Sequence, residues 1–258
     1  MAASELVHVT EDFKKQFPWL IEAKFFERLE STQTRIVQWL PKEANGAVVV
    51  VAESQTKGVG RQGRTWVSPP GGIWFTVAFP IKDLSPIQLG AFSIVAALEV
   101  ANALKEVYNL ECGIKWPNDI RYSGKKLGGI LLNTTAKFKR SWLLIGIGIN
   151  VNNEVTSEMG DATSIKIIRG QFQGRGRLIE ALLGRLWNAW EEFNRTGFGP
   201  YKTMVESKLT DVGKTIKVLL GKKTTQGTLM GIDIQGGLLL KSNAKTQTIN
   251  AGEIVGVL

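Results

Sequence analysis

Short β-branched runs, each bounded by glycine or polar residues, alternate with long apolar or amphipathic stretches along the chain. Gly46 to Glu53 (GAVVVVAE) holds four consecutive valines, and a run that short and that branched predicts a buried strand. Ile73 to Phe79 and Leu143 to Ile149 have the same character. Ile87 to Val107 is rich in alanine and leucine, lacks proline and is interrupted only by Gly90, which predicts a core helix. Between Arg175 and Asn194, Leu178, Leu182, Leu186 and Trp190 recur at the spacing of one helical face, with Ile179, Leu183 and Trp187 beside them. The ordinary role for both tryptophans there is core packing. Beyond Gly197 to Pro200 the pattern changes to short strands over Thr215 to Leu220, Gln226 to Ile232, Leu238 to Lys241, Thr246 to Asn250 and Glu253 to Val257. Such spacing fits a small barrel or sandwich, so the expected division is an α+β body over 1–209 and an all-β part over 210–258.

Of the 258 residues, 43% are hydrophobic, enough for one ordinary core and a small second one. Cys112 is the single cysteine and His8 the single histidine. A Ser-His-Asp triad, a Cys-His pair or a cysteine-histidine zinc site is therefore not the expectation, and chemistry has to rest on lysine, arginine, carboxylates and main-chain amides. The formal net charge of +9 suits nucleotides, nucleic acid or an acidic protein, and equally a lysine-rich solvated surface. No uninterrupted apolar run is read as a bilayer span, and Met1 to Lys15 lacks a signal-peptide pattern. A cytoplasmic protein without a membrane partner is the expectation.

Two segments concentrate the chemistry. Lys57-Gly58-Val59-Gly60-Arg61-Gln62-Gly63-Arg64-Thr65-Trp66 follows the first strand. Gly58, Gly60 and Gly63 satisfy the spacing of a dinucleotide fingerprint, but the loop runs into Pro69, Pro70, Gly71 and Gly72 where that fingerprint needs a helix. Its glycines let the backbone approach a ligand, and its cations suit a carboxylate or phosphate; a plain solvated turn is the alternative. The second segment joins Lys115-Trp116-Pro117-Asn118-Asp119 to Lys125-Lys126-Leu127-Gly128-Gly129-Ile130-Leu131. Lysines, an amide and a carboxylate at this density suit ATP phosphates with their magnesium. The competing reading is a hairpin turning at Ser123-Gly124 with both lysines in water.

Together with Ser31-Thr32-Gln33 upstream and Gly146-Ile147-Gly148-Ile149-Asn150 downstream, these segments resemble the biotin protein ligases in order and spacing, over about Phe25 to Leu258. The resemblance implies a mixed sheet with flanking helices, like a class II aminoacyl-tRNA synthetase catalytic domain, followed by a small C-terminal barrel. It implies formation of biotinyl-5'-AMP from biotin and ATP with magnesium, then transfer to a lysine of a biotin carboxyl carrier domain. For biotin it points to Ser31, Thr32, Gln33, Gln55, Gly58, Val59, Gly60, Arg61, Lys126 and Gly128. For ATP it points to Arg61, Arg64, Trp66, Lys115, Asn118 and Asn150. Arg61, Lys126, Lys115 and Asp119 are the implied catalytic set, with Asp119 the magnesium candidate. Val59 stands where the family has arginine, which leaves it a main-chain role. Too few residues precede the signature for the DNA-binding domain of some relatives, so no DNA partner is expected, while the sheet-edge homodimer common in the family and a monomer both stay open. Rival readings are a lipoate or octanoate ligase or transferase, and a basic nucleic-acid-binding protein using Lys214, Lys217, Lys222 and Lys223.

Overall fold

The computed structural model describes residues 5–42, 46–81, 85–242 and 245–258. In chain order the elements are α1 (Glu5–Gln16), β1 (Leu20–Leu29), α2 (Thr32–Arg35), β2 (Ala47–Gln55), β3 (Ile73–Ile81), α3 (Pro86–Tyr108), β4 (Gly113–Lys115), β5 (Asp119–Tyr122), β6 (Lys125–Lys137) and β7 (Arg140–Ile149). They continue as α4 (Ile165–Arg169), α5 (Gly176–Thr196), α6 (Lys202–Lys208), β8 (Thr215–Leu220), β9 (Lys223–Ile232), β10 (Leu238–Ser242), β11 (Lys245–Ile249) and β12 (Glu253–Val257). By contacts the chain forms two compact units, 1–83 with 124–184, and 84–123 with 185–258.

In the first unit the strands run in the order β1-β2-β3-β7-β6. β1 and β2 are parallel, and the other neighbours are antiparallel. Every residue of β2 from Ala47 to Ala52 is fully buried, which explains why this strand reads as a continuous apolar run and not as an alternation. One sheet face carries, along β7, Trp142, Leu144, Gly146 and Gly148 in sequence. The first two join a core with Leu29, Ile36, Leu40, Val48, Val50, Ala52 and Ala78. The next two leave that face bare, and the candidate site lies over them.

A buried ion pair fastens the periphery of this sheet. Arg175 donates through both terminal nitrogens to Glu53 at 3.0 Å and to the Gly72 carbonyl at 2.9 Å, while Glu53 also accepts from the Gly71 amide at 2.8 Å. Glu5 accepts from the Arg175 and Gly176 amides, so the start of α5 is capped from α1.

In the second unit, α3 begins with a capping box between Ser85 and Gln88 and ends at Asn109, whose φ of 51° is the left-handed C-terminal conformation. Its length and apolar composition are those of a membrane span, contrary to the sequence expectation that no such run exists. Its buried positions extend almost all round, from Ala91 and Phe92 to Leu104 and Tyr108, as in a core helix. Phe92 meets Trp190 and Phe193 edge-on at 5.0 and 5.1 Å, so Trp190 has the packing role anticipated for it. The final five strands form an antiparallel sheet in the order β11-β10-β9-β8-β12, with Ile216, Val218, Leu229, Ile232, Leu238, Leu240 and Ile254 inside.

Cys112 is buried in this unit, and burial pushes its thiol up to about 12. Near neutral pH burial therefore holds the group in its unreactive thiol form. The thiol is expected to resist a disulfide reagent in the native protein and to react fully once guanidinium unfolds it. Fast native labelling would show that the burial is not maintained in solution.

Candidate active site

The site starts at the turn between β1 and α2. Ser31 is the N-cap of α2, and its hydroxyl accepts the Gln33 amide at 3.2 Å. The Thr32 main-chain amide donates to Gln55 Oε1 at 2.8 Å, with the Thr32 hydroxyl joining at 3.1 Å. A main-chain N–H can only donate, so the Gln55 oxygen must face Thr32 and its NH2 must face the other way. There it donates to the Ser68 hydroxyl at 2.8 Å, which in turn donates to the Trp66 carbonyl at 3.0 Å. Gln33 is fixed by the opposite logic. Its Nε2 donates to the Leu144 carbonyl at 3.4 Å, so Oε1 faces Thr76, whose hydroxyl lies 3.0 Å away and also 2.9 Å from Thr32 Oγ1. Thr76 is fully buried and went unnoticed in the sequence, where it is one polar residue inside the apolar run of β3.

Glycines make room for these side chains. A Cβ at Gly146 would lie 2.7 Å from Gln33 Oε1, and one at Gly148 would lie 2.5 Å from the Trp66 ring. The Gly-x-Gly spacing therefore places both gaps on one face of β7. Gly128 is required by its neighbour strand, since a Cβ there would meet the Gly148 carbonyl at 2.8 Å. Gly58 is equally constrained, because a Cβ would stand 2.3 Å from the Trp66 carbonyl.

The loop after β2 folds back on itself as a small hairpin and starts no helix. Gly58 O accepts the Trp66 amide, Val59 bridges Thr65, and the Gly60 amide donates to the Arg64 carbonyl at 2.7 Å. A single 3-10 turn at Arg61–Gly63, with left-handed Gln62 and Gly63, closes it. In this conformation the amides of Gly60, Arg64 and Trp66 bond within the loop. Arg61 is half-buried and Arg64 exposed. Lys57 is turned onto Glu30 at 2.7 Å, where the ammonium holds that exposed carboxyl below its usual range.

Lys126 and Trp66 come together here, the ammonium 5.0 Å from the ring centroid. Lys125 is exposed and Lys126 half-buried, as expected for a cation at the edge of a buried strand. Ser123 and Gly124, at φ 47° and 80°, have the left-handed pair of conformations of a tight turn. The main chain of Lys126 is gripped on both sides, by the Asp161 carbonyl and the Thr163 amide. Asn150 ends β7 with 1% exposure, and its side-chain oxygen accepts from Asn153 at 3.1 Å. Trp66 Nε1 is buried without a hydrogen-bond partner among the described residues.

Ser31, Thr32, Gln33, Gln55, Gly58, Trp66, Lys126, Gly128 and Asn150 all belong to the first unit, as do Val59, Gly60, Arg61 and Arg64. Lys115, Asn118 and Asp119 belong to the second. Lys115 and Asp119 are register partners across β4 and β5, with Asn118 buried in the turn between them. No group of three metal-ligating side chains occurs among the described residues.

Two family models match the chain. Residues 25–152 fit the biotin/lipoate A/B protein ligase family, and residues 212–255 fit the biotin protein ligase C-terminal domain. A bifunctional ligase/repressor BirA of Bacillus subtilis is 32% identical over 89% of this chain and 72% of its own length. A biotin--[acetyl-CoA-carboxylase] ligase of Mycobacterium tuberculosis is 30% identical over 84% of this chain and 83% of its own. The solved biotin protein ligase from Aquifex aeolicus in complex with biotin and ATP superposes with a TM-score of 0.78 at 33% identity, covering 92% of this chain and 97% of that one. The chain belongs to the biotin protein ligase family. The mixed sheet, the flanking helices and the C-terminal all-β part are those of a biotin protein ligase, as the motifs implied, and 25–152 contains every candidate residue of both segments.

The Glu53–Arg175 pair holds Gly71 and Gly72, where the ligase loop rejoins β3. Arg175→Leu takes both guanidinium bonds from the half-buried Glu53 carboxylate and leaves it the Gly71 amide, which costs on the order of 1 to 3 kcal/mol. Urea unfolding should register that loss, and a variant as stable as the parent would remove the pair from any structural role.

Proposed function

We propose that this chain condenses biotin with ATP to biotinyl-5'-AMP and pyrophosphate, then transfers the biotinyl group to a lysine of a biotin carboxyl carrier domain. The carrying observation is Lys126, a cation set over the Trp66 ring beside a buried cluster of oriented amides and hydroxyls. A ureido ring offers two N–H donors and a carbonyl acceptor, and a cluster of fixed donors and acceptors suits it. The dithiolane chain of lipoate has nothing to match them, which favours biotin over the lipoate reading that the broader family name leaves open.

The chemistry needs cations more than an acid or base. A carboxylate oxygen of biotin attacks the α-phosphorus, pyrophosphate leaves, and like charges approach throughout. Lys126 is assigned to the biotin carboxylate and the adenylate phosphate, with Arg61, Arg64 and Lys115 on the triphosphate. Trp66 and Asn150 are assigned to the adenine. In the second step the acceptor amine attacks the acyl carbon, AMP leaves, and the proton of the amine is assigned to Asp119. Magnesium supplies further positive charge to the phosphates. Asp119 is the carboxylate that would hold a nucleotide-borne magnesium, an ion that needs only one or two carboxylates from the protein. A cytosolic location belongs to the same reading.

Biotin with magnesium and ATP should release pyrophosphate without any acceptor, and lipoate should not replace it. Release that ignores biotin but follows lipoate or octanoate would overturn the reading. Lys126→Ala should lower turnover about a hundredfold, equivalent to ~2.7 kcal/mol of transition-state stabilisation. Lys125→Ala should stay within severalfold of the parent. Equal losses from the two lysines would show that half-burial of Lys126 has no catalytic meaning.

A further inference from the structure

Asn150 has a side-chain amide whose two ends are chemically opposite and nearly identical in shape, so something must decide which end faces the ligand. The deciding group is traceable. The carbonyl of Glu154 is a main-chain acceptor and cannot change polarity. It accepts from Asn153 Nδ2 at 3.1 Å, and the same Nδ2 donates to Asn150 Oδ1 at 3.1 Å. Turning the Asn153 amide over would set its oxygen against two other oxygens, so Nδ2 stays where it is. With Asn153 fixed, Asn150 has to keep its oxygen toward Asn153 and direct Nδ2 elsewhere.

The frame around this relay is rigid. The Asn152 amide donates to the Gly71 carbonyl at 2.8 Å, and its side chain clasps residue 173 in both directions, donating to the Gln173 carbonyl at 2.8 Å and accepting its amide at 2.9 Å. The Asn150 main chain is held between Leu127 and Ile165. Asn150 and Asn153 are 1% and 2% exposed, so water does not compete for the bond between them. Asn153 Oδ1, by contrast, is buried with no hydrogen-bond partner among the described residues. A buried acceptor left in that state is a cost, and nothing at that end of the side chain opposes or assists the relay.

We propose that Asn153 is a positioning residue that sets the polarity of the Asn150 amide and thereby the preference of the site for a 6-amino over a 6-oxo purine. The inference rests on the assignment of Asn150 to the nucleotide base. Asn150 Oδ1 accepts one bond from Asn153 and keeps a lone pair for the exocyclic N–H of adenine, while Nδ2 remains a donor for a ring nitrogen. A 6-oxo purine carries an acceptor where that N–H would be and meets oxygen with oxygen. Reversing the Asn150 amide would remove this penalty and place it on adenine.

Asn153→Asp tests the relay with little change in size. A carboxylate offers only acceptors, so Asn150 has to turn its NH2 toward position 153 and expose its oxygen on the other side. The measurement is kcat/KM for adenylate formation with magnesium ATP and with magnesium inosine triphosphate, which lacks only the 6-amino donor. Asn153→Asp is expected to lower the ATP to inosine triphosphate ratio tenfold or more, through KM for the nucleotide with biotin KM unchanged. Asn153→Ala, which removes the lock without reversing it, should bring the ratio down by less, and it serves if the aspartate variant does not fold. Asn150→Ala should abolish the discrimination. Should Asn150→Ala lose discrimination while folded position-153 variants keep the parental ratio, the relay is wrong and the base assignment stands. Unchanged discrimination in Asn150→Ala would remove the base assignment and the proposal with it.

Discussion

Main-chain groups cannot exchange donor for acceptor, and the candidate site depends on that. Three side-chain amides line it, and each takes its orientation from a backbone atom of known polarity. The Thr32 N–H sets Gln55, the Leu144 carbonyl sets Gln33, and the Glu154 carbonyl sets Asn153 and through it Asn150. Glutamine and asparagine amides are otherwise free to turn over with little steric change. Here each inversion would leave like poles opposed in a buried environment, at about 1 to 3 kcal/mol per unsatisfied group. The hydrogen-bonding pattern that a ligand meets is thus a property of the fold before any ligand arrives.

Space is prepared as firmly as polarity. Along β7 one face passes from Trp142 and Leu144, which fill a core, to Gly146 and Gly148, which fill nothing. The emptiness is taken up by Gln33 and Trp66, one brought from the start of α2 and the other from the loop. A methyl group at either glycine would collide with the side chain it accommodates, so the glycines are requirements of close approach and not of backbone freedom. Gly58 does the same for the Trp66 carbonyl, and the Glu53–Arg175 pair anchors the far end of the loop. The loop is consequently tied at both ends, with its arginines on the intervening turn.

Much of this was legible in the sequence, for reasons that also explain what was not. The apolar runs of β2, β3 and β7 were visible because strands buried on both faces carry no polar alternation to confuse them. α5 was visible from its periodic leucines, and α3 from its composition. β1 (LIEAKFFERL) lies at the sheet edge, where charged residues interrupt the pattern, and α1 has only Leu6, Thr10 and Phe13 buried. Neither carries a run that stands out. The candidate site showed itself through clustered glycines and cations, whereas Thr76 is one polar residue in an apolar run and Asn153 one of three asparagines in the loop after β7, with nothing to set it apart. Their importance lies in what they face, and facing is not a property of neighbouring positions in the chain.

A site without histidine or reactive cysteine gains selectivity through matching rather than proton transfer. Cys112 is buried and held far from its thiolate form, and His8 is exposed on α1. The groups left to act are lysine and arginine cations, fixed dipoles and the Asp119 carboxylate. Such a set suits a reaction between anions, where the barrier is mainly electrostatic repulsion and the intermediate must be kept from water. Each amide locked by a main-chain atom adds one comparison between ligand and site, and a mismatch at two of them, at about 1 to 3 kcal/mol each, reaches on the order of thirtyfold or more. On the proposed function, rigid polarity at Gln55, Gln33 and Asn150 would serve for selection in the way that an adjustable acid or base serves in other enzymes.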